Sequence, residues 1–190
     1  MAESELFNRH EKSPGWARLL KWHKELIDPR ADRGLQAELR RCRTPDEAMV
    51  TRAFQRLWAS LGAPQLGNGE PDITLARRLA LACAALSHVK QNDSANHFAA
   101  LLGQAKTGQS EPRMSLARLR RLFGVEATEP DKLLAELIRA IRLAGETANV
   151  KSLAIGAMHW DDTTRRDWTF RYYGASIPAS GNTSDETSGD

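Results

Sequence analysis

The chain has 190 residues and a mass of 21.1 kDa, is 41% hydrophobic and carries 27 basic against 24 acidic side chains. The apolar fraction excludes a wholly disordered chain, and the length suits one ordinary domain or two small ones sharing an interface. No apolar run reaches a membrane span, residues 1–12 lack a signal-peptide core, and Cys42 and Cys83 cannot make a disulfide framework, so a cytoplasmic protein with no membrane partner is expected.

In chain order the sequence reads as one helix after another. Ser13-Pro14 is a helix start, and Trp16, Leu19, Leu20, His23, Leu26 and Ile27 follow as a narrow amphipathic stripe. Arg30 to Arg43 is predicted as the second helix. Thr44-Pro45-Asp46-Glu47 has the form of a capping box and opens a third, whose stripe is Val50, Phe54, Leu57, Trp58 and Leu61. After a Gly- and Pro-rich loop at 62–72 come alanine-rich helices over Ile73–Val89 and Ser94–Leu102, then a polar break at 103–112. Helices follow over Ser115–Phe123, from Pro130 to about Gly145, over Asn149–Trp160, and from about Asp161 to Gly174. No alternating β-branched stretch is long enough for a convincing strand. The expected fold is all-α, with about eight or nine helices in two small bundles packed together, residues 13–102 and 113–174. Residues 175–190 read as a disordered acidic tail.

Charge is unevenly laid out. Residues 1–12 and 175–190 are net acidic, which leaves residues 13–174 with 25 bases against 18 acids. Arginine outnumbers lysine 20 to 7, and the guanidinium fork suits bidentate phosphate contact and stacking on bases. On a helical wheel of the second helix, Ala31, Leu35, Leu39 and Cys42 share one side, while Arg30, Arg33, Arg40 and Arg41 share the other with only Ala37 among them. A merely solvated face usually mixes signs, because like charges on one face repel. Such segregation points to a phosphate track. Arg52 and Arg56 in the third helix, Arg118, Arg120 and Arg121 in the Ser115 helix, and Arg139 and Arg142 with Lys132 in the Pro130 helix repeat the pattern more weakly. Each is a common solvated face when taken alone. If they align, they form an extended, sequence-tolerant cationic surface rather than a pocket.

The signatures of catalysis are missing from the sequence. There is no G-x-x-x-x-G-K-[ST] loop and no H-E-x-x-H. His88 and His97 stand nine residues apart with no C-x-x-C beside Cys83, so neither a metal nor a cofactor is expected. His23 reads as a hydrogen-bonded core residue, and Asp161 and Asp162 as caps of the last helix rather than magnesium ligands. Trp16 and Trp58 lie on core stripes. Trp22 falls off its stripe, as a contact residue or one packed against the other half.

Several segments in this order carry a resemblance: Trp16 with Leu19-Leu20, then Ala37-Glu38-Leu39-Arg40-Arg41-Cys42, Thr44-Pro45-Asp46-Glu47 and Ala53-Phe54-Gln55-Arg56-Leu57. Later come Leu116-Ala117-Arg118-Leu119-Arg120-Arg121-Leu122 and the end bearing Trp160 and Trp168. Over roughly Trp16 to Tyr173 the chain resembles CasB, the small subunit of the type I-E CRISPR surveillance complex Cascade. The resemblance implies a two-part all-α protein without catalytic activity that associates in pairs within the complex. Its implied partners are the backbone subunits, the large subunit, single-stranded DNA and guide RNA, with the displaced non-target strand as favoured ligand. It places Arg40-Arg41 and Arg120-Arg121 at paired-arginine positions of the family. The acidic tail and the glycine-rich loop at 62–72 depart from the family. The competing reading is a helical scaffold whose arginine-rich faces dock on protein partners without touching nucleic acid.

Overall fold

Caps decide where the helices begin. The computed structural model describes residues 6–8, 13–106 and 108–176, and the helices among them number ten. Pro14 stands at the first position of α1 (Pro14–Leu26), and Asp32 accepts the Gly34 amide at 2.8 Å to open α2 (Arg33–Arg41). Thr44 accepts the Glu47 amide at 3.1 Å at the head of α3 (Pro45–Met49), while Glu47 reaches back to the Arg43 amide at 2.7 Å. Then come α4 (Arg52–Ser60), α5 (Ile73–Leu86) and α6 (Phe98–Gly103). The second part of the chain forms α7 (Leu116–Phe123), α8 (Pro130–Leu143), α9 (Val150–Met158) and α10 (Asp162–Ser176). Asp161 accepts the Thr164 amide at 2.9 Å, the cap expected of it.

Four readings of local structure are corrected. The helix expected from Pro45 to Leu61 is two helices, because the Thr51 hydroxyl donates to the Ala48 carbonyl at 2.7 Å and accepts the Phe54 amide at 3.3 Å. Val50 therefore leaves the core stripe and is 81% exposed. The second helix begins at Arg33 rather than Arg30, since Asp32 is its cap. The helix expected from Ser94 starts only at Phe98, behind the His97 cap. Ahead of it lies β1 (Gln91–Asn92), which pairs in parallel with β2 (Thr147–Ala148), Gln91 opposite Thr147 and Asn92 opposite Ala148. A two-residue strand is too short to show alternation, so no pattern announced it.

α5 is the centre of the molecule. From Leu79 to Val89 every residue is buried, as a helix apolar on all sides must be. It packs on α3 and α9, with α2 and α8 alongside, and α10 lies along α6. The buried side chains of residues 13–102 and 113–174 form one continuous core. His23 sits in it, its Nε2 donating to the Val89 carbonyl at 3.3 Å, while burial lowers its pKa. Trp22 is buried against its own half of the chain. It is 8% exposed, and its indole donates to the Ala53 carbonyl of α4 at 2.9 Å.

Trp168 anchors α10. Its ring meets Trp160 edge-on at 5.4 Å and Phe98 at 5.6 Å, and it is 1% exposed. Gly156 of α9 makes that possible, because a Cβ there would collide with the Trp168 ring. Phe170 and Tyr173, on the outer face of the same helix, remain exposed. The acidic tail expected at 175–190 lies outside the described residues, apart from the last two residues of α10.

Candidate nucleic-acid interface

Each basic helix turns its arginines outward for the same reason. α2 buries Leu35 and Leu39, α7 buries Leu119 and Leu122, and α8 buries Leu133, Leu134, Leu137, Ala140 and Ile141. The arginines are among what remains on the other side. Arg40, Arg41, Arg120, Arg121 and Arg142 also fall in last turns, where a cation stabilises the negative end of the helix dipole. Part of the pattern is therefore good helix chemistry in its own right.

Tertiary packing then brings three of these helices together. One groove is walled by Arg40, Arg41 and Arg43 at the end of α2 and by Arg142 of α8, over a floor that includes Leu134 and Ile138. A second is lined by Arg118 and Arg121 of α7 with Arg139 and Arg142 of α8. Arg142 belongs to both, so the two grooves join into one basic ridge running from α2 across α8 to α7. Six of these seven arginines are legible as candidates from helical periodicity alone. Arg43 was missed although it directly follows Arg40-Arg41-Cys42, and that adjacency was the available signal.

Pairing decides how much of this charge is free. Arg40 contacts Glu146 at 3.1 Å, and Lys90 contacts the same carboxylate at 2.5 Å. Those two cations hold Glu146 below the usual carboxylate range. Arg139 is paired with Glu136 one turn earlier. Among the described residues no carboxylate pairs with Arg41, Arg43, Arg118, Arg121 or Arg142. Five guanidinium groups on the ridge thus remain available to an anionic partner.

The remaining candidates lie elsewhere. Arg30 is in the turn before α2 and contacts Asp28 at 3.3 Å, so it leaves the stripe that the wheel assigned to it. Arg52 contacts Glu38 at 2.6 Å and Asp32 at 3.6 Å. Arg56 shares a different groove with Arg18, Lys21, Trp22 and Glu25. Arg33 and Arg120 are exposed and line neither ridge groove. No group of three or more His, Cys, Asp or Glu able to hold a metal occurs among the described residues. Cys83 is fully buried, which pushes its thiol pKa far up. No described helix is long and apolar enough to cross a membrane.

Comparison with known proteins agrees with this architecture. No curated protein matches the chain. Among solved structures, a chain in the crystal structure of E. coli Cascade bound to a PAM-containing dsDNA target with a 32-nt spacer is similar in fold. The TM-score is 0.58 at 18% identity, covering 87% of this chain and 98% of that one. The family model described as CRISPR-associated protein Cse2 matches residues 35–173, a span that holds α7, α8, all but the first two residues of α2, and the ridge arginines. The chain belongs to the Cse2 family of CRISPR-associated proteins, the family it resembles in sequence under the name CasB.

Proposed function

We propose that this protein is the non-catalytic small subunit of a type I-E Cascade complex in antiviral defence, acting in the cytoplasm. Its ridge holds opened target DNA, the displaced non-target strand above all. The observation that carries the reading is the convergence of Arg41, Arg43, Arg118, Arg121 and Arg142, from three separate parts of the chain, without carboxylate partners. A surface of that kind grips phosphates whatever the bases are. It also fits the energetics of R-loops: forming the heteroduplex roughly balances losing the DNA duplex, so protein contacts to the backbone tip the outcome. The E. coli Cascade to which the fold is similar is bound to a PAM-containing dsDNA target, which supports DNA and other Cascade subunits as partners. Association of two copies within the complex belongs to the same proposal.

Fluorescence anisotropy with a labelled single-stranded oligonucleotide tests the reading. Binding should be micromolar and sequence-tolerant. With about six phosphates contacted, log K should fall with log[salt] at a slope of roughly −4. A flat salt dependence, or no binding at low salt, would overturn it. The scaffold reading draws on the exposed Phe170 and Tyr173 of α10, which offer an apolar docking face. It is favoured instead if the isolated protein ignores nucleic acid but co-purifies with another Cascade subunit.

A further inference from the structure

Between the end of α2 and α8 the basic groove holds a residue that a simple cationic surface does not need. His88, just past the end of α5, lines the groove beside Arg40, Arg41, Arg43 and Arg142. It is 6% exposed, and its Nε2 is buried with no hydrogen-bond partner among the described residues. Buried ring nitrogens are nearly always satisfied, and an orphan of this kind calls for an explanation. We propose that this groove is a built seat for a single phosphate group, held jointly by Arg40, Arg142 and His88, with Arg41 and Arg43 at its rim. The proposal deepens the nucleic-acid reading and rests on it for the source of that phosphate, a strand backbone.

Two of the helices around His88 supply cations that favour an anion. Arg40 faces His88 from α2 and Arg142 faces it from α8. The nearby acidic group, Glu146 in the turn after α8, is already shared by Arg40 and Lys90. That turn is rigidly placed, since Lys90 donates its amide to the Glu146 carbonyl at 2.7 Å. Among the described residues no carboxylate holds Arg142, so its guanidinium is available to a phosphate in the groove. Leu134, Ala135 and Ile138 form a drier wall, where a charge-assisted hydrogen bond is stronger than at an open surface.

A phosphate in the seat has a consequence for protonation. Burial, then Arg40 and Arg142, push the His88 pKa down to about 4, so the ring is neutral at pH 7. An anion beside it favours the imidazolium, so binding takes up a proton and strengthens as pH falls. The proposed seat therefore couples DNA affinity to pH through one residue, which a bare arginine ridge would not do.

Two measurements on the full chain test this. In the first, the His88 ring is followed by NMR against pH in sulfate, a tetrahedral anion that does not titrate near neutrality, and in chloride at equal ionic strength. Its midpoint should rise by about one unit or more in sulfate, and Arg142→Ala should abolish the rise. In the second, binding of an oligo-thymidylate strand, whose bases do not protonate in this range, is measured at pH 7 and pH 5.5. For a strand phosphate that raises the midpoint by about two units, wild type should gain roughly three- to fourfold, and a His88→Gln variant that melts normally should gain less than about 1.5-fold. If DNA binds but both readouts match chloride and wild type, the seat is overturned and the broader ridge stands. If sulfate moves the midpoint while no DNA binds at any pH, the seat stands as an anion site and the nucleic-acid reading falls.

Discussion

The ridge formed by α2, α8 and α7 and the surface formed by the start of α2 with α4 are both rich in arginine, yet they present different fields. On the second surface Arg30 is matched by Asp28 and Arg52 by Glu38 and Asp32, which leaves two arginines, Arg33 and Arg56, without a carboxylate among the described residues. On the ridge, Glu146 and Glu136 answer Arg40, Lys90 and Arg139, while five further arginines go unanswered. Exposed ion pairs contribute little to stability, but each one cancels a charge at the distance where a phosphate would feel it. Arginine number is therefore a poor guide to a binding face. The carboxylates that folding brings up to each arginine are the better guide.

The largest expected effect comes from reversing charge on the two surfaces separately. A variant with Arg41→Glu, Arg121→Glu and Arg142→Glu should lose about 100-fold or more in affinity for single-stranded DNA. Its salt slope should shrink by about two, since three phosphate contacts are lost. The matching variant with Arg30→Glu, Arg52→Glu and Arg56→Glu should lose less than about fivefold. Equal losses would mean that net charge, and not the ridge, governs binding. All six positions are exposed, so both proteins should stay folded, each melting somewhat below wild type because carboxylates now sit in helix last turns or, at Arg52, beside Glu38 and Asp32.

A comparison of binding across pH requires the common core to hold at acid pH, and His97 limits that. Burial, and then the nearby Arg171, push its pKa down to about 4 against an ordinary 6.5, while Asp167 opposes them. Its Nδ1 accepts the Ala99 amide at 3.2 Å to cap α6, a bond that the protonated ring cannot make. The unfolded chain takes up this proton as pH drops through 6.5, and the folded one does so only near 4. Stability from the neutral ring is thus complete above about 6.5 and drains away as pH falls toward 4. Allowing for partial exposure of the ring, the loss is roughly 1–2 kcal/mol. His97→Asn keeps a capping oxygen and removes the titration, so urea melts should show a shallower acid decline than wild type. A decline just as steep would assign the acid sensitivity to other groups.

Local chemistry was legible in the sequence, and distant encounters were not. The starts of α1, α3, α8 and α10 were readable because prolines and capping side chains act within four residues. The break at Thr51 was hidden, since a threonine inside an amphipathic stripe announces a new cap only after the Ala48 carbonyl is in place. The outward faces of α2, α7 and α8 followed from helical periodicity. Their meeting around Arg142 did not, because it depends on how α8 packs on the central α5. The pairing of Arg40 with Glu146 spans 106 residues and has no local signature. Arg43 is the opposite case, a ridge residue that its neighbours advertised.

The smallest effect is the sharpest test of what separates the two surfaces. Glu38 lies one turn from the end of α2, and Arg52 contacts it through both Nε, at 2.9 Å, and Nη2, at 2.6 Å. The guanidinium hydrogen bonds hold its pKa below the usual carboxylate range, so it stays charged under any physiological condition. Glu38→Gln removes that charge while keeping an oxygen to accept from Arg52. The arginine stays where it is but is no longer cancelled, and Asp32 at 3.6 Å offsets it only in part. Affinity for single-stranded DNA should rise by about two- to threefold at low salt, and the gain should vanish as screening sets in. If internal pairing is what silences this surface, removing one carboxylate must recover part of its attraction without adding a single base. An unchanged affinity would show that Arg52 lies too far from the strand to matter, and that position rather than pairing distinguishes the ridge.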